Sequence, residues 1–544
     1  MRHTEFLRQR YRAILAYSGL ICLIAGLLIL SPLALLLAYR QEASAAWGFL
    51  LPGLLLSVSG SLLWRGLRPR AAVSLSTLEG NVIVLVCWIA AIVVSAIPFL
   101  VISKLNLLQA LFESTSGWTT AGLSVVDVEH ASPLILFYRS VLQLAGGAGL
   151  AILMLSALGG PVGPGLSIAE GRSEQLLPHV RQSAKLVLSL YAGYVVVGTL
   201  ALAVAGMSWF DAVNHAFTAL STGGFSTRTE SIAYWQSPAI EAVLMVLMLL
   251  GTTNFLTAYT LLKGRFRAVV QNSEIRLTAL LIILGSGVVF LGGTAAWSGA
   301  LGQRLRVAIF NTVSALSTTG FATADYRPWT GLGWLVLVLL MLTGGATGST
   351  AGGIKQYRIY VLYRGLVWEF RRRLLPRHAV TEPDVWKGEQ RSFIDDSHLR
   401  EVALFVLLYL SILVAGVAVL TAHGYPLPDS IFEYTSALST VGVSIGITAA
   451  NAPPGVLWAE IAAMILGRLE FFAIVIGLAC LLRDMPPLVR SWVAGNRASE
   501  KRPQDSAGAS RTIPGATTAD QAVPSRAEAA GTEPLKDEQG ETRP

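Results

Sequence analysis

The chain has 544 residues, of which 53% are hydrophobic and 14% are charged, and its formal net charge is +8. This composition excludes an ordinary soluble globular protein, because the apolar residues stand in long blocks rather than at amphipathic spacing. The excess positive charge fits cytoplasmic loops that face anionic lipid, so no nucleic-acid partner is expected. Cys22, Cys87 and Cys480 lie inside apolar blocks without metal-ligand spacing, which favours core packing over disulfide or metal roles.

Ten apolar segments are long enough to cross a membrane, given that a hydrocarbon core takes roughly 20 residues of helix. They run over about 13–39, 46–63, 80–102, 134–158, 186–206, 238–262, 277–298, 332–355, 401–422 and 456–482. The first block lacks a small-residue cleavage site and is predicted to be retained. Basic clusters such as those at Arg8, Arg267 and Arg372 share one side of this arrangement, which the positive-inside rule makes cytoplasmic, together with both termini. Arg228 and Arg304 fall on the other side, so the rule holds only as a majority.

The predicted fold is an all-α polytopic membrane protein with four pseudo-repeated helix–pore-loop–helix units around one pore, preceded by two transmembrane helices. Beyond Trp492 the chain has no aromatic residue and is rich in Pro, Ala, Gly, Glu and Arg, which indicates disorder. The predicted parts are a two-helix extension at 1–70, repeats 1 to 4 at 71–160, 161–265, 266–365 and 399–485, a cytoplasmic loop at 366–398 and a disordered cytoplasmic tail at 486–544.

Each repeat contains one short motif of hydroxyl residues and glycine, which we name filter segments 1 to 4. They are Thr120-Ala121-Gly122-Leu123, Thr222-Gly223-Gly224-Phe225, Thr318-Thr319-Gly320-Phe321 and Thr440-Val441-Gly442-Val443. Irregular backbone at membrane depth survives only where it lines a wet cavity or is buried in protein. Glycine permits the backbone angles that turn successive carbonyl oxygens toward an axis. The motifs therefore predict one ion filter whose carbonyl oxygens replace the water around a cation. Coincident small-residue packing turns, the alternative, do not explain four copies in register.

A segment too short and too polar to cross the bilayer precedes each filter segment. These segments, at about 107–118, 209–220, 306–316 and 428–438, are predicted to be half-helices whose carboxyl ends point to a central cavity. Nine residues before the filter glycines stand Glu113, His215, Asn311 and Glu433, and ten residues before them stand Phe112, Asn214, Phe310 and Phe432. We interpret the first set as hydrogen-bonding anchors, with direct ion contact as the alternative.

The helix after each filter segment carries glycine at a similar depth, which permits bending or close packing. These glycines are Gly146-Gly147, Gly251, Gly344-Gly345 and Gly467. In repeat 3 the run from Thr343 to Lys355 is poor in helix-favouring side chains and is predicted to be a flexible intramembrane loop that obstructs the pore and moves aside. Its gate residues would be Gly344, Gly345, Gly348, Ser349, Thr350, Gly352, Gly353 and Lys355. The run lacks the GxxxxGK[ST] spacing, so a nucleotide loop is rejected.

In repeat 4, Arg468 and Glu470 place charge at membrane depth, where it is costly and usually faces water or a partner. One hypothesis is a fixed positive charge below the filter that discourages cation leak and helps set occupancy. The alternative is structural pairing of Arg468 with Glu470 or with backbone carbonyls.

Over about 80–482 the sequence resembles the Trk/Ktr/HKT superfamily of potassium transporters, and the two extra helices are similar to its TrkH branch. The motifs that carry the resemblance are Phe112-Glu113-Ser114 before Thr119-Thr120-Ala121-Gly122, Ser221 to Phe225, Gly348 to Lys355, and Gly467-Arg468-Leu469-Glu470. Thr252 departs from the small residue expected in the second inner helix. The resemblance implies a gate at 344–353 and positions near the permeation path for Lys355 and Arg468.

The same resemblance implies a potassium-conducting subunit that is homodimeric in the bacterial inner membrane. A separate cytoplasmic ring protein, TrkA-like and nucleotide-binding, would control it, and this chain would hold no cofactor, potassium being the substrate. In the superfamily, glycine in all four filters accompanies potassium preference, whereas serine in the first permits sodium, so Gly122 favours potassium.

Several other functions stay open as alternatives. One is a sodium or mixed monovalent-cation pathway of the same fold, and transport could be passive or coupled to protons or sodium. A membrane enzyme using Glu113, His215 or Glu433 as acid or base would need a converging nucleophile or metal cluster, and neither HExxH nor GxSxG occurs. A receptor or scaffold would leave the four motifs unexplained.

Overall fold

The computed structural model describes residues 2–67, 77–149, 180–293, 300–329, 331–376, 382–387, 390–469 and 471–500. The chain divides into one unit over residues 1–488 and a second over 489–544, of which the described part is the end of the last helix. All four filter segments belong to the first unit.

The amino-terminal extension consists of two helices, Arg2–Leu30 and Ala46–Leu67, joined by the 3₁₀ turns Ser31–Leu37 and Arg40–Ala45. Small residues let these helices approach closely, since a Cβ atom on Gly60 would collide with the Gly19 carbonyl oxygen of the facing helix. The end of the predicted span 13–39 is the 3₁₀ turn Ser31–Leu37 rather than α-helix.

Repeats 1 to 4 share one succession of elements: an outer helix, a half-helix, the filter segment and an inner helix. The outer helices are Thr77–Ser95 continued by Ile97–Val101, Val180–Val204, Ser273–Val288 continued by the π-helical turn Val289–Gly293, and Asp396–Ala422. The half-helices are Leu107–Thr119, Trp209–Leu220, Leu301–Leu316 and Leu427–Leu438. The inner helices begin with Pro133–Ala148, Pro238–Thr252, Gly331–Thr343 and Pro454–Arg468. After a break, three of them continue as Phe255–Leu262, Gln356–Leu374 and Phe471–Glu500, and Phe266–Gln271 precedes outer helix 3.

Half-helices 1, 2 and 4 begin and end within a residue of their predicted bounds. A capping box starts half-helix 1: Asn106 Oδ1 accepts from the Gln109 amide at 2.9 Å, and Gln109 Oε1 accepts from the Asn106 amide at 3.0 Å. Half-helix 3 begins at Leu301, earlier than the predicted 306. The helix can include the basic residues at its start because both contact neighbouring helices. Arg306 pairs with Glu241 at 3.0 Å, and Arg304 lies over the Phe290 ring.

Six helices in the described part of the chain are long and apolar enough to cross a membrane, and two sharply bent pairs bring the number to as many as eight. The predicted span 332–355 is not one helix, since it ends at Thr343 where the glycine-rich loop begins. Inner helix 1 ends at Ala148, and Gly149 has a φ of +81°. The rest of the predicted span 134–158 and the end of 277–298 lie outside the described residues, so the ten-span arrangement stays a prediction.

The predicted cytoplasmic loop contains the one departure from an all-α fold among the described residues. Strands Asp384–Lys387 and Gln390–Phe393 pair antiparallel. Arg364 and Arg391 both bind the Asp384 carboxylate, and the Trp386 amide donates to Ser273 Oγ at 3.1 Å. These contacts attach the hairpin to two helices, which a short polar sequence alone does not reveal.

Two helices cross predicted domain boundaries. The helix Gln356–Leu374 runs through the boundary at 365. Phe471–Glu500 runs through residue 486, where the disordered tail was expected to start, because Leu488, Val489 and Trp492 continue the apolar spacing of a helix. The rest of the tail lies outside the described residues.

Candidate ion filter and gate

The four filter segments converge and form a closed ring. An ideal Cβ atom on each filter glycine would collide with the carbonyl oxygen of the residue before the glycine of the next segment. The colliding pairs are Gly122 with Gly223, Gly224 with Thr319, Gly320 with Val441, and Gly442 with Ala121. The contacts run from segment 1 through 2, 3 and 4 back to 1, so four stretches distant in sequence surround one axis. No side chain fits at any of the four glycines.

Each filter segment has the same backbone conformation. The glycines have φ values of +80°, +73°, +83° and +96°, and Thr120, Thr222, Thr318 and Thr440 also lie in the left-handed region at +57°, +52°, +55° and +51°. A β-branched residue rarely adopts this conformation, and such strain is concentrated at functional sites. The sequence predicted the glycine conformation but not that of the threonines.

The four anchor residues hold the chain that leaves each filter. Glu113 accepts hydrogen bonds from Ser124 Oγ at 3.0 Å and from the Val125 amide at 3.0 Å. Glu433 accepts from Ser444 Oγ at 2.6 Å and from the Ile445 amide at 3.0 Å. Both carboxylates therefore contact protein donors in the manner of structural anchors.

Repeats 2 and 3 use neutral side chains in the same way. His215 Nε2 lies 3.0 Å from Ser226 Oγ, and Asn311 Nδ2 donates to Thr323 Oγ1 at 3.0 Å. His215 Nδ1 lies 2.8 Å from the Asp211 carbonyl, which makes Nδ1 the protonated nitrogen and Nε2 the acceptor of the Ser226 hydroxyl. The phenylalanines one residue earlier, Phe112, Phe310 and Phe432, are fully buried, as is Asn214, whose amide donates back to Phe210.

Two further filter supports, Arg139 and Gln143, were missed by sequence analysis. Both are buried in inner helix 1, one turn apart. Arg139 donates from Nε to Glu113 Oε1 at 2.7 Å, and its guanidinium lies 4.0 Å from the centre of the Phe225 ring. Gln143 donates to the Gly223 carbonyl at 2.6 Å and accepts from the Phe225 amide at 3.1 Å. Repeat 1 thus supports filter segment 2. An arginine inside an otherwise apolar span was the available signal.

Not every predicted ligand oxygen is free of protein contacts. The Gly223 carbonyl accepts from Gln143, and the Phe321 carbonyl accepts from Ser314 Oγ at 2.7 Å. Leu123, Phe225, Phe321 and Val443, which follow the glycines, have buried side chains. The filter segments therefore share a conformation without being chemically identical.

The glycine-rich loop of repeat 3 lies directly against three of the four filter threonines. Thr350 Oγ1 accepts from Thr222 Oγ1 at 3.2 Å, and the Gly352 amide donates to Thr318 Oγ1 at 2.7 Å. A Cβ atom on Gly352 would collide with Thr440 Oγ1. The loop thus lies against the first residue of filter segments 2, 3 and 4.

Further contacts fix the loop to inner helix 2. Thr350 Oγ1 also donates to the Gly251 carbonyl at 2.9 Å, and the Ala346 amide donates to the Thr252 carbonyl at 3.1 Å. Thr252, the unexpected residue of the sequence analysis, fits because position 345 is glycine: a Cβ atom there would collide with Thr252 Oγ1. Gly344, Gly348 and Gly353 all have positive φ, as glycine allows.

Arg468 links two repeats. Its guanidinium donates to the Thr350 carbonyl at 2.5 Å and to the Gly146 carbonyl at 2.6 Å. These contacts are the structural pairing of Arg468 with backbone carbonyls that the sequence leaves open as an alternative. Arg468, Lys355 and Ser349 line one small cavity beside the loop, and Lys355 Nζ donates to the Ala351 carbonyl. Glu470 lies outside the described residues, so its pairing stays a prediction.

The inner-helix glycines allow close packing as well as bending. Cβ atoms on Gly146, Gly251 and Gly467 would collide with the carbonyl oxygens of Trp118, Leu220 and Leu438, each at the carboxyl end of the half-helix in the same repeat. Inner helices 2 and 4 bend by 116° and 102° just beyond these glycines. Glycine therefore brings inner helices 1, 2 and 4 into backbone contact with their half-helices.

A family model described as TrkH, cation transport protein, matches residues 54–485. The chain belongs to the TrkH family of cation transport proteins. It is 30% identical to the Trk system potassium uptake protein TrkH of Escherichia coli K12, over 86% of this chain and 98% of that relative. It is also 30% identical to the uncharacterized cation transporter MJ1485 of Methanocaldococcus jannaschii, over 86% of this chain and 95% of that protein.

A solved structure shows the same fold. The crystal structure of the potassium transporter TrkH from Vibrio parahaemolyticus superposes with a TM-score of 0.73 at 26% identity, covering 86% of this chain and 98% of that chain. The polytopic helical fold expected from the sequence is thereby confirmed for this TrkH family member. The family is one of cation transporters, which disfavours the enzyme alternative.

Proposed function

We propose that this chain takes up potassium across a bacterial inner membrane through the four filter segments, with both termini in the cytoplasm. The observation that carries the proposal is the closed ring of glycine–carbonyl contacts, because four converging backbones can surround one dehydrated cation. Relatives named Trk system potassium uptake proteins in Escherichia coli and Halomonas elongata support potassium as the cation.

The filter would act by exchanging water for backbone oxygen. Carbonyl oxygens of the four segments replace the hydration shell, and the strained threonine and glycine backbone holds them in place without reorganisation. The carboxyl ends of the half-helices carry partial negative charge toward the same centre, which favours a cation there. Because the Gly223 and Phe321 carbonyls already accept protein hydrogen bonds, we expect repeats 1 and 4 to supply the closer ligands.

The glycine-rich loop would be the gate. It contacts Thr222, Thr318 and Thr440 directly, so an ion leaving the filter must displace it. Its hydrogen bonds to inner helix 2 and Arg468 hold this blocking position. We further propose that a homodimer of this chain works with a separate cytoplasmic ring protein, TrkA-like and nucleotide-binding, that moves the loop. The family resemblance and the Trk system names of the relatives support that partner.

Growth of a potassium-uptake-deficient strain on low potassium tests the proposed function. We expect the chain to restore growth when the ring partner is co-expressed, and the purified protein in liposomes to pass potassium in preference to sodium. A chain that is present in the membrane but neither restores growth nor passes potassium would contradict the proposal.

Selectivity is tested by Gly122→Ser. The new Cβ atom would collide with the Gly223 carbonyl oxygen at a residue whose φ is +80°, so the ring must open there. We expect the potassium preference over sodium to fall, measured as the ratio of the two fluxes in liposomes. Gly206→Ser is the matched control, because Gly206 has a φ of +110° but no atom within 4 Å of its Cβ position. An unchanged flux ratio in Gly122→Ser would count against the filter.

A further inference from the structure

Inner helices 1 and 4 carry opposite charges at the same position. Counted from the first residue of each inner helix, Arg139, Leu244, Leu337 and Glu460 are equivalent. All four are buried. In repeat 1 the arginine neutralises the anchor carboxylate Glu113 at 2.7 Å. In repeat 4 the anchor Glu433 is instead accompanied by a second carboxylate.

A single threonine joins the two carboxylates of repeat 4. The Thr448 amide donates to Glu433 Oε1 at 3.0 Å, and the Thr448 hydroxyl donates to Glu460 Oε1 at 3.0 Å. Neither glutamate has any solvent-exposed surface. Glu433 accepts further hydrogen bonds from Ser444 and Ile445, whereas Glu460 Oε2 is buried and has no hydrogen-bond partner.

Within the described residues, neither Glu433 nor Glu460 forms an ion pair, in contrast to Glu113. The titratable groups on the neighbouring elements do not replace one. Tyr434 follows Glu433 on half-helix 4, Tyr409 of the outer helix is bonded to Ser439, and His423 lies against Gly455 in the first turn of inner helix 4. Half-helix 1 contributes only Glu113, which is bound to Arg139.

We propose that Glu433 and Glu460 form a buried carboxylate pair that holds one proton, on Glu460, beside the residues that follow filter segment 4. Two carboxylates in one buried hydrogen-bonded shell resist being ionised together, because their repulsion and lost hydration oppose it. Glu433 accepts three hydrogen bonds from protein donors, whereas Glu460 accepts one and keeps a buried Oε2 atom without a partner, so we assign the proton to Glu460. When the surrounding pH rises, Glu460 loses this proton and repeat 4 gains a second negative charge.

That added charge lies next to the backbone of Ser444 and Ile445, just after the filter. We expect it to concentrate monovalent cations at this mouth, so the half-saturating potassium concentration falls as the pH on this side rises. Glu460→Gln keeps the shape of the protonated side chain without a titrating group. At every pH, this variant should therefore have the half-saturating potassium concentration that the wild-type protein has at acid pH. The transport part of this inference rests on the proposed function, whereas proton binding does not.

Two measurements on purified full-length protein test the site. Infrared difference spectra between neutral and alkaline pH, where ordinary carboxylates are ionised in both states, should show the carbonyl band of a protonated carboxylic acid. Liposome flux should show the pH-dependent half-saturation. Both signals should be lost in Glu460→Gln. Glu241→Gln is the matched control, since Glu241 is also buried in an inner helix but pairs with Arg306 at 3.0 Å, and it should keep both signals.

Persistence of the infrared band and of the pH dependence in Glu460→Gln would overturn the proton site. Should that variant not accumulate, Glu460→Leu takes its place, because leucine occupies the equivalent position in repeats 2 and 3. If wild-type protein passes no potassium at any pH, the proposed function fails, and the infrared band alone then decides the proton site.

Discussion

At the scale of single residues, the filter depends on polar side chains buried at membrane depth. Glu113 is fully buried, and Arg139 both neutralises it and reaches the Ser226 carbonyl of the next repeat at 3.3 Å. A buried pair of this kind contributes little net stability over apolar residues, but the loss of one partner leaves an uncompensated charge. Substitution of Arg139 or Glu113 alone is therefore expected to be more destabilising than substitution of both.

Arg139→Leu should destabilise the protein by about 3 to 5 kcal/mol, because it leaves Glu113 buried without its cation. The additional change Glu113→Gln should recover part of that loss, since it removes the orphaned charge. The measurement is thermal unfolding of the detergent-purified variants. Arg327→Leu serves as the control, because the Arg327–Asp325 pair is largely exposed and its loss should cost less than about 1 kcal/mol. Equal destabilisation by both arginine variants would contradict this account of the pair.

At the scale of elements, the glycine-rich loop is held by a few hydrogen bonds and by close backbone contacts. Thr350 is its most connected side chain, with partners in filter segment 2, half-helix 2 and inner helix 2. If the loop is the proposed gate, the loss of one of these side-chain bonds should make it easier to displace.

Thr350→Val should raise basal potassium flux without the ring partner, because valine keeps the shape of threonine but cannot bond Thr222 or the Gly251 carbonyl. Liposome flux of the purified protein measures the effect. Thr347→Val is the matched control, because the buried Thr347 hydroxyl has no hydrogen-bond partner. Flux equal to wild type in Thr350→Val would show that this side chain does not hold the loop closed.

The hairpin at Asp384–Lys387 and Gln390–Phe393 depends on one carboxylate. This carboxylate belongs to Asp384. The hydrogen bond that it accepts from Arg391, together with the charge of Arg364, holds the pKa of Asp384 below its usual range. A lowered folded-state pKa adds stability above the ordinary pKa of about 3.9, and this is lost only as the pH falls through the lowered value. The hairpin should therefore keep its structure from neutral to mildly acidic pH.

Asp384→Asn should remove that stabilisation at neutral pH and raise amide hydrogen exchange in the two strands. Mass spectrometry of peptides covering 382–394 measures it. Asp395→Asn is the control, because the Asp395 carboxylate contacts Ser397 and the start of the following helix rather than the strands, and its loss should leave strand exchange unchanged. Unaltered exchange in Asp384→Asn would mean that other contacts hold the hairpin.

At the scale of the whole molecule, Arg468 joins parts of the chain that are far apart in sequence. It binds the loop of repeat 3 through Thr350 and inner helix 1 through Gly146, from a position at the end of the first part of inner helix 4. A guanidinium with several donors in a fixed plane suits two carbonyls at once. The position of the loop is therefore linked to repeats 1 and 4 as well as to its own repeat.

Arg468→Lys should increase basal potassium flux while leaving the protein assembled, because one ammonium group keeps the charge but lacks the planar fork that reaches both carbonyls. Flux and size-exclusion profiles of the purified variant are the measurements. Arg483→Lys, at an exposed arginine paired with Asp484, is the control and should not change flux. Loss of the folded protein in Arg468→Lys would instead assign Arg468 a purely structural role.

Local sequence was sufficient to predict the elements whose signals are local. The half-helices at 209–220 and 428–438 stand between long apolar blocks, and the left-handed glycines follow from their motif. Glycine interruptions of the inner helices were likewise predictable from Gly251, Gly344 and Gly467.

What could not be predicted depends on partners distant in the chain. Gln143 binds Gly223, and Arg468 binds Gly146, in other repeats, and periodicity carries no information about such pairs. The left-handed threonines escape prediction because tertiary contacts override their backbone preference. The hairpin escapes it because four-residue strands of polar sequence resemble a loop.

All four glycines of the closed ring belong to one covalent chain. Channels assembled from identical subunits change every quarter of the pore with each codon, whereas here Gly122, Gly224, Gly320 and Gly442 are encoded separately. One nucleotide change thus alters a single filter glycine and, through its backbone contact, displaces the neighbouring segment first. Mutation can therefore change the four filter segments independently. Gln143, which binds filter segment 2, is an example of such a difference between the repeats.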